Sequence, residues 1–156
     1  MENVYAAPQS DVVEVAQGGV SGFERFSTWY VLLLAIVTLG LYIPYWLYSR
    51  TKVLNVQSED QISSGFVWAT LLLYVLALCA SIASAAAGPE VSELVLVESG
   101  ASLIANVFMI VWVFKFRNRL QKLIAPLQLK TNPVLTFFLQ AFYMQYKVNE
   151  AIDKQG

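Results

Sequence analysis

The chain has 156 residues, of which 57% are hydrophobic and only 13% charged, with a net charge of -1. A soluble chain of this length has too much surface to hide that much apolar matter and too few charges to cover it, so a water-soluble domain is set aside. The charge balance gives nucleic acid no electrostatic footing, and with no histidine and a single cysteine, Cys79, zinc, haem and an internal disulfide lack their usual ligands or partner.

The opening MENVYAAPQSDVVEVAQGGVSG holds three acids and no base. It lacks the basic start of a signal peptide, so no cleavage is expected, and residues 1–26 are expected to form a disordered tail. Residues 27–154 then read as one helical membrane domain. Four uncharged runs mark it: Phe26–Ser49, Gln61–Pro89, Ser99–Phe114 and Thr131–Tyr146. A hydrocarbon core of about 30 Å takes about 20 helical residues. The first two runs are long enough for helices over about Ser27–Tyr48 and Phe66–Gly88, the second stopped by Gly88-Pro89. The aliphatic residues between Val31 and Leu47 favour insertion of the first by roughly -3 to -6 kcal/mol. The third run suffices if Lys115, Arg117 and Arg119 lay their stems along the core and their charges among the headgroups.

The fourth run opens at Asn132-Pro133, a cap followed by proline at the first helical position. Thr136, Gln140, Tyr143, Lys147, Glu150 and Lys154 then recur at three- and four-residue steps, a narrow polar stripe on an apolar helix. Such a helix is expected to lie in the interface with its stripe toward the headgroups. The expected fold is therefore an all-α membrane protein with three transmembrane helices and a C-terminal amphipathic interfacial helix. Four transmembrane helices are the alternative.

Lysine and arginine set the orientation. Segments 49–65 and 115–130 carry seven of them, against Arg25 alone in the N-terminal tail and none in 89–98. The seven are expected in the cytoplasm and the N-terminus outside. Trp46, Trp68 and Trp112 would then sit at the inner interface, with Trp29 and Tyr30 at the outer one.

Within TLGLYIPYWLYSRTK, Gly40 and Pro44 stand four residues apart. Proline has no N–H and its ring clashes with the carbonyl four residues back. The simpler reading is a kink near the exit of helix one; the sharper one is a broken helix, a hinge or re-entrant hairpin, which would bring the N-terminus inside. In helix two, Ala77, Ser81 and Ala85 form one four-spaced row of small residues, and Ala80, Ser84 and Gly88 another. Close approach through small residues is a main way helices pack in lipid. Helix three answers with Gly100, Ala101, Ser102 and Ala105, and faces left over could serve a second copy or another partner. Asn106, deep in helix three, needs hydrogen bonds, with Ser81 or Ser84 within reach.

The run TLGLYIPYWLYSRTKVLN resembles the signature of a family of small bacterial membrane proteins, domain of unknown function 4234, whose members carry T-L-G-[IL]-Y, then Y-W and a basic helix end. NPVLTFFLQAFYMQYKVNE is similar to the ending of such proteins. NVYAAP is similar to an N-P-Y-x-x-P tail, with Val4 in place of its proline. The resemblance implies a bacterial inner-membrane protein and transfers no activity.

No acid or base interrupts the uncharged runs, so a proton relay is not expected. Neither a Gly-rich phosphate loop nor a nucleophile elbow is present in the sequence. The expected function is that of a non-enzymatic accessory or regulatory subunit acting through helix packing, without a cofactor. Its partners are the lipid bilayer and either a second copy or another membrane protein. A self-assembling channel or small-solute transporter, lined by Gly40, Pro44 and Asn106, is the alternative.

Overall fold

The first uncharged run does not form one helix. In the computed structural model of the chain, which describes residues 19–87 and 92–156, it divides into α1 (Thr28–Val37) and α2 (Tyr42–Gln57). Between them Leu39 and Gly40 take positive φ values of 50° and 90°. Glycine adopts that conformation freely, whereas for leucine it costs about 1–2 kcal/mol. Pro44 falls in the first turn of α2, where an N–H has no intrahelical acceptor, so it starts a helix instead of bending one. The kinked spanning helix expected over Ser27–Tyr48 is therefore corrected to a broken one. Each half is shorter than a bilayer: ten residues of α1 rise about 15 Å.

The next two helices are long and apolar enough to cross a membrane by length and composition. They are α3 (Ser64–Ala87) and α4 (Ser92–Ile124). They make the most extensive helix–helix contact among the described residues. α3 keeps close to its expected range, while α4 begins earlier than Ser99 and, over 33 residues, rises about 50 Å. The expected stop at Gly88-Pro89 and residues 1–18 of the expected tail lie outside the described residues.

After α4 a single 3-10 turn, Ala125–Leu127, and a left-handed Gln128 (φ 57°) reverse the chain. α5 (Pro133–Gln155) starts where the cap signal put it, with the Asn132 side-chain oxygen accepting from the backbone N–H of Val134 at 2.8 Å and of Leu135 at 3.4 Å. It breaks sharply at Gln140 (φ 36°, ψ -118°). The Tyr143 hydroxyl then accepts the Asn132 N–H at 2.8 Å, drawing the two halves of α5 together. The stripe expected to face the headgroups is thus corrected: Thr136 and Tyr143 are buried, and Gln140 is the break.

α1, α2 and the second half of α5 gather around the last turns of α4. Trp46, Leu47, Leu54, Trp112, Phe116, Leu120, Ile124, Met144 and Val148 form this core. Val20 and Phe23, assigned to the tail by composition, are buried in it as well. Arg25 pairs with Asp153 at 2.7 Å, the Val20 N–H donates to the Gln155 side chain at 3.1 Å, and Gly22 abuts Gln57. The chain therefore enters α1 and leaves α2 at the same end of the molecule. An N-terminus opposite to 49–65 required one crossing helix over 27–48, and that helix is absent.

Candidate membrane-embedded surface

The positions of the two breaks follow from what α4 touches along its length. The Trp112 indole N–H donates to the Thr51 hydroxyl at 3.1 Å, Phe116 lies edge-on to Trp46 with centroids 5.6 Å apart, and the Leu127 carbonyl accepts from the Lys154 ammonium at 3.4 Å. The second half of α5 runs alongside in the same direction. Gln145 meets Trp46 near Phe116, and Lys154 meets Leu127. α1 runs the opposite way: Phe26 bonds Asn149, while Val31 and Ala35 share a cavity of about 310 Å³ with Ile43 and residues 138–142. Both turns, Leu39-Gly40 and Gln140, consequently lie toward the membrane-length part of α4.

Those turns are apolar and uncovered. Leu39 is 91% exposed and Phe138 73%, and Trp29, Ile36, Val37 and Phe137 are exposed beside them. Their bases are fixed by a buried polar chain. The Trp46 indole N–H donates to the Gln145 side-chain oxygen at 3.0 Å, and the Gln145 amide donates to Asn149 at 2.9 Å. The Asn149 amide donates to the Phe26 carbonyl at 2.7 Å. Gln145 is fully buried, and with each polar atom partnered it holds three helices in one register instead of weakening the core. The sequence reading missed Gln145 and Asn149. Their i, i+4 spacing was the available signal, masked by the neighbouring Tyr143 and Lys147.

Basic side chains lie along the last turns of α4 and in the second half of α2. Lys52 stands 4.4 Å over the Tyr48 ring and Lys115 5.1 Å from the Phe66 centroid. Arg119 and Lys122 pair with Asp60 at 3.0 and 3.3 Å. The hydrogen bond from Lys122 and the charge of Arg119 hold the Asp60 carboxyl below the usual carboxylate range. Of the expected interface tryptophans, Trp46 and Trp112 are core residues and Trp68 is exposed. Trp29, expected at the outer interface, is exposed and lies edge-on to Phe142 with centroids 5.8 Å apart.

The α3–α4 pair offers a second surface. Ala77 and Ala105 are buried where the helices meet, but Ala85 is exposed and Gly100 has nothing near its missing side chain. Tyr74, Ser81, Ser102 and Asn106 join the two alanines around an open cleft of about 220 Å³. Ser81 and Ser102 both donate to Glu98, at 3.0 and 3.4 Å. Asn106 does not reach Ser81 or Ser84. Its amide donates to the Ser102 carbonyl of its own helix at 2.8 Å and stays exposed. Cys79 also faces outward. Gly40 and Pro44 belong to the α1–α2 turn and do not join this cleft.

No curated protein and no solved structure matches the chain. A family model described as Domain of unknown function (DUF4234) matches residues 26–122, from the start of α1 into the basic extension of α4, and the chain belongs to that family.

Proposed function

We propose that the chain is a non-enzymatic protein of the bacterial cytoplasmic membrane, crossing it with α3 and α4 and serving as an accessory or regulatory subunit. The observation that carries this is the cleft between those helices. Ser81 and Ser102 are met by Glu98, but the Asn106 amide bonds only within its own helix and stays exposed, and lipid chains cannot hydrogen-bond the rest of it. Another helix can.

Orientation follows from charge. With residues 19–26 beside the ends of α2 and α5, all ten lysines and arginines belong to one end of the molecule. The connection between α3 and α4 carries none. That asymmetry favours the basic end, with the N-terminal segment, in the cytoplasm. This replaces the expectation of an outside N-terminus.

Affinity purification in a mild detergent, with native mass and copurifying chains identified, tests the proposal. A stoichiometric companion that is lost from Asn106→Leu supports the accessory role. A homo-oligomer without a companion favours the second reading, a self-assembling channel, for which the shared lining of Tyr74, Ser81, Ser102 and Asn106 speaks. A monomer of unchanged mass in both proteins argues against each.

A further inference from the structure

The exposed turns at Leu39-Gly40 and Gln140 are not used by the α3–α4 cleft, and they share three properties. Their arms are short. Ten residues in α1 rise about 15 Å, close to half of a hydrocarbon core of about 30 Å. Their tips are apolar, with Ile36, Val37, Leu39 and Leu41 on one and Phe137, Phe138 and Leu139 on the other, all exposed. Their direction is common, toward the membrane-length part of α4, with Arg50, Lys52 and Lys115 nearer their bases.

The backbone of the first turn supplies a separate reason. Water would satisfy the N–H groups of an exposed turn, but hydrocarbon cannot, so a turn inside lipid must satisfy them itself. Here Thr38 donates to Leu34 at 2.9 Å, Leu39 to Ile36 at 3.1 Å, Gly40 to Ala35 at 2.7 Å, Leu41 to Thr38 at 3.1 Å and Ile43 to Gly40 at 3.1 Å. Tyr42 donates to the Thr38 hydroxyl at 2.9 Å, and that hydroxyl donates in turn to Leu34 at 2.6 Å. Every N–H from Thr38 to Ile43 has an internal acceptor, across two residues with positive φ. The donors of such a turn do without water.

We infer that α1–α2 and the two halves of α5 are re-entrant hairpins that seat their apolar turns among the acyl chains of the cytoplasmic leaflet and return, leaving only α3 and α4 to reach the other leaflet. The inference depends on the membrane reading and the orientation proposed with it. The partner is phospholipid: acyl chains around the tips, anionic headgroups at Lys52 and Lys115. Charge matches that placement, since the opposite end offers Glu93 and Glu98 and no base.

Single-cysteine labelling of the full chain in a Cys79→Ser background tests it, using a membrane-impermeant maleimide on spheroplasts and on inverted vesicles. Glu24→Cys, Glu59→Cys, Lys130→Cys and Gly156→Cys are expected to label only from the cytoplasmic face, and Glu93→Cys only from the outer face. Leu39→Cys, Val37→Cys and Phe138→Cys are expected to label from neither until detergent is added, at least tenfold less than Glu59→Cys. Labelling of Glu24→Cys from outside overturns the inference by showing that α1–α2 crosses. Cytoplasmic labelling of the tip cysteines overturns it by placing the turns in water. If Glu93→Cys and Glu59→Cys label from the same face, the membrane reading itself fails and takes the inference with it.

Discussion

The α3–α4 pair and the bundle at the far end of α4 are built from one chain but held by different means. In α3 only Val67, Thr70 and Ala77 are buried, and contact with α4 pairs the small Ala77 and Ala105 with Phe66 stacked on Phe108. The bundle buries Trp46, Trp112, Phe116 and Met144 and threads the Trp46–Gln145–Asn149–Phe26 hydrogen bonds through them. Water drives large side chains together, whereas lipid leaves helix association to close packing and hydrogen bonds. On the proposed membrane reading, this contrast puts the passage from lipid to water along the later turns of α4, at Lys115 and Arg119.

The strongest way to break the comparison is to disable one region and watch the other. Trp46→Ala removes a buried ring and the donor to Gln145, and is expected to destabilise the bundle by about 3–5 kcal/mol. Hydrogen exchange read by mass spectrometry should quicken through α1, α2 and α5 and leave α3 protected. Equal loss in α3 would mean that the regions are one cooperative unit. Ala105→Leu is the converse, overfilling the α3–α4 contact at an expected cost of about 1–3 kcal/mol; exchange should rise in α3 and stay level in α5.

A finer division lies inside the first hairpin. Gly40→Val forces a branched side chain to φ 90° and is expected to destabilise the turn by about 1–2 kcal/mol. Pro44→Ala should change stability by no more than about 0.5 kcal/mol, because the N–H it restores lies in a first turn. Denaturation midpoints of the two variants in the same detergent give the ranking, and a larger effect at Pro44 would contradict a helix start there. The smallest effect concerns pH. Asp60 has a lowered carboxyl pKa, so its tie to Arg119 and Lys122 contributes above the ordinary carboxylate pKa and is lost as pH falls through the lowered value. Exchange in 58–63 should be steady from neutral to mildly acid pH and quicken only below it.

Much of this architecture was legible because it is local. Run length located α3, and Asn132-Pro133 located the start of α5 through a cap that spans three residues. The break in the first run was written only in part. Gly40 marks a place where φ can turn positive, but Leu39 turns with it, and a leucine gives no such signal. Hydropathy sums also ignore chain direction, so Val31–Leu47 scores as a crossing whether or not it reverses. The polar chain was illegible for another reason. Trp46 and Gln145 are separated by 99 residues, and helical periodicity within α5 pointed at Tyr143 and Lys147. In the cleft, Ala77 is buried and Ser81 bonds Glu98 of α4, whereas Ala85, of the same four-spaced row, is exposed.

α4 itself runs unbroken from Ser92 to Ile124. Bends sharper than about 20° come at a proline, a Gly/Ser pair or an interrupted ladder, and its one such pair, Ser99-Gly100, sits in regular helix. It therefore behaves as a shaft. A twist or piston stroke applied beside Ser102 would be passed along it to Arg119 and Gln121, whose side chains hold Asp60 and Thr131. Movement imposed at one end of α4 would be carried to the two connections that precede α3 and α5.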